Sequence, residues 1–319
     1  MRRRTPKGTG HRVVVVGGGF GGLACTRALD RKPVDVLLLD QHNYHLFTPL
    51  LYQVATSLLN PSDIAYPHRS VFRRSRNVRF RQARVVGVDL DQRVVRTDDE
   101  EVPYDSLVLA TGSENNYFAN EELARHTLGM KSLAEAMGLR NHVLSCLELA
   151  AQTNSDEERQ AWLTFVVVGG GPTGVEYAGA LSELLRLVLG RDFPELDPTM
   201  ARILLVEGLD RLLGAFHPKL GAYAARTLRD RGIEVRTSTL VQKATDELVA
   251  LSDGDEIATR TIVWSAGVRP ADPLGQADVE RSRTKRLRVD RGLSLAEHPE
   301  VFVIGDLASV GDDGGELPM

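Results

Sequence analysis

Cysteine is scarce in this chain: Cys25 and Cys146 are the only two among 319 residues, and they form no Cys-x-x-Cys pair. That removes the residues a dithiol redox centre or a cysteine zinc site needs, and no metal site is expected. Basic charge is not in excess either. The 39 Lys and Arg stand against 43 Asp and Glu, a formal net charge of −4, which gives no electrostatic footprint for nucleic acid. No apolar run approaches the ~18–20 residues that span a bilayer, and no low-complexity segment stands out. Arg2, Arg3 and Arg4 precede the apolar stretch Val13 to Cys25 in the manner of a secretory signal, but the glycines in that stretch suit a turn better than a signal core. Residues 1 to 10, basic and small, read as a frayed tail.

What is present is an ordinary globular composition, 42% hydrophobic and 26% charged, which argues against wholesale disorder. The length fits about two domains at the common ~150 residues each. It is enough to bury a sizeable core without disulfide staples.

Val13-Val14-Val15-Val16 is apolar at successive positions, as expected of a strand buried on both faces of a parallel sheet. Gly17-Gly18-Gly19-Phe20-Gly21-Gly22 follows, then a helix from Leu23 to Leu29, then a second buried strand, Val36 to Leu39, ended by Asp40. This is a βαβ unit. The pattern returns at an offset of 152 residues: Phe165 to Val168 leads into Gly169-Gly170-Gly171-Pro172-Thr173-Gly174, and Val175 to Leu189 reads as helix. Gly190, Pro194 and Pro198 break that helix. Ile203 to Val206 is the next strand, ended by Glu207, and Gly232 to Val235 and Thr261 to Trp264 read as further strands. Residues 119 to 160 form a helical and polar bridge. The chain therefore reads as two related modules and not as a short-period repeat.

Each glycine motif follows a strand, opens a helix and precedes a strand that ends in an acid, the context in which GxGxxG means dinucleotide binding rather than a mere tight turn. The first glycine permits the turn, the second lets backbone approach a pyrophosphate, and the third lets helix and strand pack closely. The helix N-terminus offers free N–H groups and partial positive charge. Gly17, Gly19 and Gly22 carry these roles in the first copy, with Asp40, 18 residues after Gly22, to accept hydrogen bonds from a ribose. Gly169, Gly171 and Gly174 carry them in the second, with Glu207 after 33 residues, the Pro194 to Thr199 loop accounting for the longer gap. An acid at 207 favours a ribose 2′-OH and repels a 2′-phosphate, hence NADH over NADPH, and Arg211 is placed to soften that preference. Two dinucleotide sites in one chain suggest an electron relay between a resident flavin and an exchangeable nicotinamide.

Val301-Phe302-Val303-Ile304-Gly305-Asp306 resembles the closing flavin motif of the glutathione-reductase-like flavoproteins with two dinucleotide sites, and Leu107 to Gly112, with Thr111 and Gly112 at its turn, resembles their strand that leaves the flavin domain. Asn43-Tyr44-His45-Leu46-Phe47-Thr48-Pro49-Leu50-Leu51-Tyr52-Gln53-Val54-Ala55 looks like the segment after the FAD acid in type II NADH dehydrogenases. Gly171 to Glu176 and Trp264 to Val268 are similar to two loops of that family. The resemblance runs from Arg12 to Pro318. It implies an α/β fold with two Rossmann-like domains, the NADH domain inserted in a discontinuous FAD domain: 11–118, then 119–279 with the linker helices, then 280–319. It implies FAD at Gly17 to Asp40 with Thr111, Gly112 and Asp306, NADH at Gly169 to Glu207, and a quinone as acceptor, without proton pumping. Glu176 is implied to position the nicotinamide or to couple it to the acceptor; otherwise it is a simple helix N-terminal acid.

In that family a helix with a Gln-containing motif and a membrane-docking C-terminal region follow the Gly-Asp motif. This sequence stops at Leu317-Pro318-Met319, so the expectation is a truncated chain, cytoplasmic and soluble as it stands. The intact homologue would be a homodimer peripheral on the inner face of the plasma membrane. Two other readings remain open: a soluble NADH-dependent reductase of an iron–sulfur protein or other acceptor, and a non-catalytic nucleotide-binding fragment. Sulfide:quinone oxidoreductases share the fold but need catalytic cysteines, for which Cys25 and Cys146 are not arranged. His45 reads as hydrogen-bonded packing rather than a proton donor. Arg69, Arg73, Arg74, Arg76, Arg79 and Arg81 read as a solvated face, with anionic lipid the alternative.

Overall fold

The computed structural model describes residues 10–310. Arg2 to Arg4 and Leu317 to Met319 lie outside the described residues, and so do the readings made on them. The first pass of the chain supplies β1 (Arg12–Val16), α1 (Phe20–Leu29), β2 (Asp35–Asp40), β3 (Val78–Gln82) and β4 (Ser106–Leu109). The middle supplies α2 (Leu133–Gln152), β5 (Thr164–Val168), α3 (Pro172–Asp192), β6 (Arg202–Val206), α4 (Pro218–Asp230), β7 (Glu234–Arg236) and β8 (Thr261–Trp264). The chain then returns with β9 (Val301–Val303).

It divides into two compact units. One comprises the described parts of Met1–Leu46, Ala65–Glu114 and Arg269–Met319; the other comprises Phe47–Ile64 and Asn115–Val268. The first unit is a parallel sheet in the order β9-β4-β1-β2-β3. Alternate residues of its apolar strands enter two separate cores, which is why the strands read as continuous hydrophobic runs. Val13, Val15, Val36, Leu38, Val78 and Phe80 pack with Leu23 of α1 on one face. Val14, Val16, Leu39, Leu107, Leu109 and Val303 pack on the other with Val95 and Val102, which belong to an antiparallel meander of Val85–Asp89, Val94–Thr97 and Glu101–Pro103.

The second unit repeats this plan. Its parallel sheet runs Leu128–Gly129, β8, β5, β6, β7. A meander of Val241–Ala244, Leu248–Leu251 and Glu256–Ala258 again lies between the third and fourth strands of the copy. The duplication seen in the glycine motifs thus extends to strand order and to a meander that the sequence reading did not contain. The short helix Leu51–Ala55 packs on α2 and α3, which is why residues 47–64 belong with this unit.

Three helix boundaries differ from the sequence reading, the first being that of α1, which begins at Phe20 rather than Leu23, so that Gly21 and Gly22 lie within its first turn. α3 begins at Pro172, not Val175, because proline at the first helical position has its φ preset and gives up only an N–H that has no intrahelical partner. It also continues through Gly190 to Asp192, so that glycine lowers helix propensity without ending the helix.

Strands β6 and β7 are tied at their ends by an ion-pair network. Arg202 and Arg236 each donate to Glu234 at 2.7 Å, and Arg236 also donates to Asp255 at 2.6 Å. Burial alone would raise the Glu234 carboxyl, but the two guanidinium partners outweigh it and hold it below the ordinary glutamate range. A depressed folded value gives stability that is present above the unfolded value and lost as pH falls through the folded one. Glu234→Gln is therefore expected to cost about 1 kcal/mol near neutrality, the scale of a partly exposed network. Its melting-temperature difference from wild type should begin to shrink as pH falls below the ordinary glutamate value of about 4.3 and vanish only once the pH lies below the depressed folded value. A difference that persists in acid would mean the carboxylate charge is not the cause.

Candidate functional site

At the first glycine motif, β1 ends and the chain turns at Gly17, whose φ of 98° lies in the left-handed region. The close approach comes at Gly22. A Cβ there would fall 1.7 Å from the Gly17 carbonyl oxygen, so only glycine lets α1 lie this near β1. Gly19 ends the loop with nothing within 4 Å of its own Cβ position, leaving open space above the helix N-terminus. Asp40, at the end of β2, accepts the Gly18 N–H at 2.5 Å with one oxygen and the His42 N–H at 2.7 Å with the other. A cavity of about 340 Å³ opens beside it, lined among others by Gly17, Asp40, Arg84, Val85 and Thr111. Thr111 donates to the Ala271 carbonyl at 2.6 Å, and Gly112 accepts from the Ala271 N–H at 3.0 Å. Asp306 sits in the short turn Gly305–Leu307 and accepts from Ser113 at 2.6 Å. The structure therefore brings Gly17, Asp40 and Thr111 to one cavity, with Gly19 and Gly22 in the adjoining loop.

The second motif has the same construction. Gly169 turns with φ 111°. A Cβ at Gly174 would fall 1.9 Å from the Gly169 carbonyl oxygen, and Gly171 again has open space. Glu207 accepts the Gly170 N–H at 2.6 Å and the Leu209 N–H at 2.7 Å. In both copies the acid clamps the amide that follows the first motif glycine and the amide two residues beyond itself. The sequence identified the acids but not these four amides, because backbone partners leave no residue-type signal. Arg211 is exposed and donates to the Gly214 carbonyl at 3.0 Å.

Helix caps separate these two sites from the rest of the fold. Among the described residues, the other helices of six residues or more carry side-chain caps: Asn120 on Glu121–His126, Ser132 on α2, Ser155 on Asp156–Trp162 and His217 on α4. α1 and α3 start instead at Gly19 and Gly171 with no side-chain cap. Their terminal N–H groups keep the capacity to bind an anion that a Ser or Asp cap would have used.

The remaining candidates fall in different places. Glu176 lies on the exposed side of α3, in its second turn because the helix starts at Pro172. It is thus no first-turn acid, and the dipole effect has faded there. Crowding by the surrounding protein pushes its carboxyl above the ordinary glutamate value. His45 is hydrogen-bonded through Nδ1 to the Gly18 carbonyl at 3.0 Å and meets Phe20 edge-on, a packing role on the glycine loop. Cys146 is buried and Cys25 half-buried, in different units, and burial raises both thiols, at Cys146 against the pull of the Arg260 charge and with His142 Nε2 3.4 Å from the sulfur. His68 was missed in the sequence. It is fully buried with neither ring nitrogen hydrogen-bonded, and its ring lies where a Gly18 Cβ would be, 2.3 Å from Cε1. Burial pushes the imidazole down, against the pull of the Asp40 carboxylate.

Two Rossmann-type units, each with an acid clamped over an open glycine loop, define an oxidoreductase fold with two dinucleotide sites. The family model of the pyridine nucleotide-disulphide oxidoreductases matches residues 11–317. The chain is 39% identical over 312 residues to the type II NADH:quinone oxidoreductase Ndh of Mycobacterium tuberculosis, covering 94% of this chain and 67% of that protein. It is also 39% identical over 314 residues to NdhA of the same organism, with the same coverage. The chain thus spans about two thirds of the length of these curated relatives. The structure of NDH2 from Plasmodium falciparum in complex with NADH superposes with a TM-score of 0.88 at 21% identity, covering 94% of this chain and 64% of that one. The sulfide:quinone oxidoreductase of Aquifex aeolicus superposes at 0.75 with 18% identity. The chain belongs to the pyridine nucleotide-disulphide oxidoreductases and, among them, to the type II NADH:quinone oxidoreductase family.

Proposed function

We propose that this protein is an FAD-dependent NADH dehydrogenase that passes the electrons of NADH to a quinone without pumping protons. The observation that carries the reading is the repeated site: two units, each with a glycine loop, an uncapped helix N-terminus and an acid clamped on the loop. The identity to type II enzymes supports quinone as the acceptor. The unit with β1 and β9 is assigned to FAD. The open space at Gly19 and the cavity beside Asp40, Arg84 and Val85 suit the adenosine and pyrophosphate, and Asp306, Thr111 and Gly112 are assigned to the same cofactor. The unit with β5 is assigned to NADH, through Gly169, Gly171, Gly174 and Glu207. When bound, FAD supplies the hydride-accepting and electron-passing chemistry.

The chain's own residues bind and orient. The uncapped amides of α1 and α3 offer hydrogen bonds to pyrophosphate oxygens. Asp40 and Glu207, each fixed by two backbone N–H groups, present their remaining lone pairs to a ribose. Glu176 is assigned to positioning the nicotinamide. No side chain serves as nucleophile, and Cys25 and Cys146, which fall in different units, are not arranged as the catalytic cysteines of sulfide chemistry would be. Since quinones reside in lipid, the protein is assigned a peripheral membrane location; among the described residues no helix is long and apolar enough to cross a membrane. A homodimer of the family kind is part of the same reading.

The test is NADH oxidation by the FAD-reconstituted chain with a soluble quinone as sole acceptor. Sustained quinone reduction is expected. Absence of turnover with FAD bound would overturn the reading for this polypeptide.

A further inference from the structure

Between Asp63 and Asp89 the sequence holds seven arginines and no acid, in a protein of net charge −4. Arg81 is paired with Glu100, and Arg84 lines the cavity beside Asp40. The other five, Arg69, Arg73, Arg74, Arg76 and Arg79, are exposed and make no ion pair among the described residues. They share one edge of the first unit. The one-turn helix His68–Val71 is followed by a turn in which the Ser75 N–H donates to the Phe72 carbonyl at 3.0 Å and the Val78 N–H donates to Ser75 Oγ at 3.1 Å. This feeds the chain into β3, the edge strand of its sheet. The Arg69 guanidinium folds back to 5.3 Å from the Phe80 ring centroid, so the start and end of the run lie side by side. Asp30, the acid that this turn touches, is engaged by Ser75 Oγ at 2.6 Å. Tyr66, just ahead of the run, is 58% exposed.

Charged residues on an edge strand deter pairing with another sheet. That explains Arg79 and Arg81, which alternate with the buried Val78 and Phe80. It does not explain Arg69, Arg73, Arg74 and Arg76, which precede the strand. We propose that this arginine edge, with Tyr66 at its margin, is the surface by which the protein docks on a bilayer of anionic phospholipid. The proposal rests on the quinone reading, since a lipid-dissolved acceptor requires the protein to reach the membrane surface. A cluster of arginines attracts an anionic leaflet. A partly exposed tyrosine, with an apolar ring and a polar tip, suits the headgroup layer.

The experiment is co-sedimentation of the FAD-loaded chain with vesicles of phosphatidylcholine alone or with about a third phosphatidylglycerol, at low salt and at ~0.5 M salt, where screening is nearly complete. The wild type should sediment with the anionic vesicles alone and be released by salt. Changing Arg73, Arg74 and Arg76 together to Gln should weaken binding roughly 100-fold, at about fivefold per arginine. The same change at Arg186 and Arg226, exposed in the second unit, should have little effect. Equal binding to neutral vesicles, undiminished binding of the triple variant with an unchanged melting temperature, or tighter binding to a single-stranded oligonucleotide than to vesicles each overturns the proposal. Soluble-quinone reduction is assayed on the same preparation. Turnover without vesicle binding removes the surface and leaves the function; vesicle binding without turnover does the reverse.

Discussion

Gly22→Ala is expected to strip FAD from the chain, and Gly174→Ala to leave FAD in place while weakening NADH binding by about two orders of magnitude. The steric argument is the same at both positions. An alanine Cβ at 22 would fall 1.7 Å from the Gly17 carbonyl oxygen, and one at 174 would fall 1.9 Å from the Gly169 carbonyl oxygen and 2.7 Å from Ser265 Oγ. These obstacles are mainly backbone, so the helix must move off the strand it packs on. Overpacking of this kind typically costs about 1–3 kcal/mol and occasionally more. The effect on ligand should be larger, because the displaced helix N-terminus is the part assigned to the pyrophosphate. For Gly22→Ala we expect purified protein with little flavin absorbance and a cofactor affinity down by about 100-fold or more, the scale of losing two or three charge-assisted hydrogen bonds. For Gly174→Ala we expect full flavin content, normal reduction of that flavin by dithionite, and an NADH KM raised by a similar factor. The pair tests which unit holds which cofactor. Flavin lost from the 174 variant and kept in the 22 variant would reverse the assignment.

Charge reversal at Glu207 is the second large effect. One oxygen of this carboxylate holds the Gly170 N–H and the other the Leu209 N–H, so its place at the end of β6 is fixed before any ligand arrives. An acid so held accepts from a ribose 2′-OH and repels a 2′-phosphate. Glu207→Gln keeps an acceptor but removes the charge. It should narrow the NADH preference about tenfold, in line with the ~1.5–3 kcal/mol of a hydrogen bond to a charged group. Glu207→Arg should go further, lowering kcat/KM for NADH about 100-fold while raising it for NADPH. Asp40→Asn is the matched control: it should weaken flavin retention and leave the ratio of NADH to NADPH unchanged. A ratio that does not move in either Glu207 variant would remove this residue from the nucleotide site.

The parts legible in the sequence were those with a local physical signature. Val13 to Val16 and Phe165 to Val168 read as buried parallel strands because both faces of each are covered, leaving no polar alternation. The glycine loops and strand-end acids followed from spacing. The meanders did not, because their strands are short and mixed in pattern, and two carry register irregularities, at Val85 to Gly87 and Val241 to Lys243. Residues 47–64 carry nothing local to assign them to the second unit; that follows from how Leu51–Ala55 packs on α2 and α3. The start of α3 was missed because Pro172 after three glycines reads as a breaker, although proline is favoured at a first helical position. His68 lacked a signal for the same reason as the amide clamps: its importance lies in what surrounds it, a fully buried ring behind Gly18, and not in its spacing.

The return of the chain as β9 has a consequence for how the protein is made. β9 pairs with β4 through Val301 to Leu107 and Val303 to Leu109, across almost the whole intervening unit. A ribosome releases residues in order, and domains tend to fold as their residues emerge. The second unit has all its strands by Trp264, while the first sheet still lacks an edge until residues 301–303 emerge. The inserted unit can therefore be finished first, and the earliest-made unit is completed last. During that interval β4 has an unpaired flank, the kind of exposed edge that invites mispairing in a nascent chain.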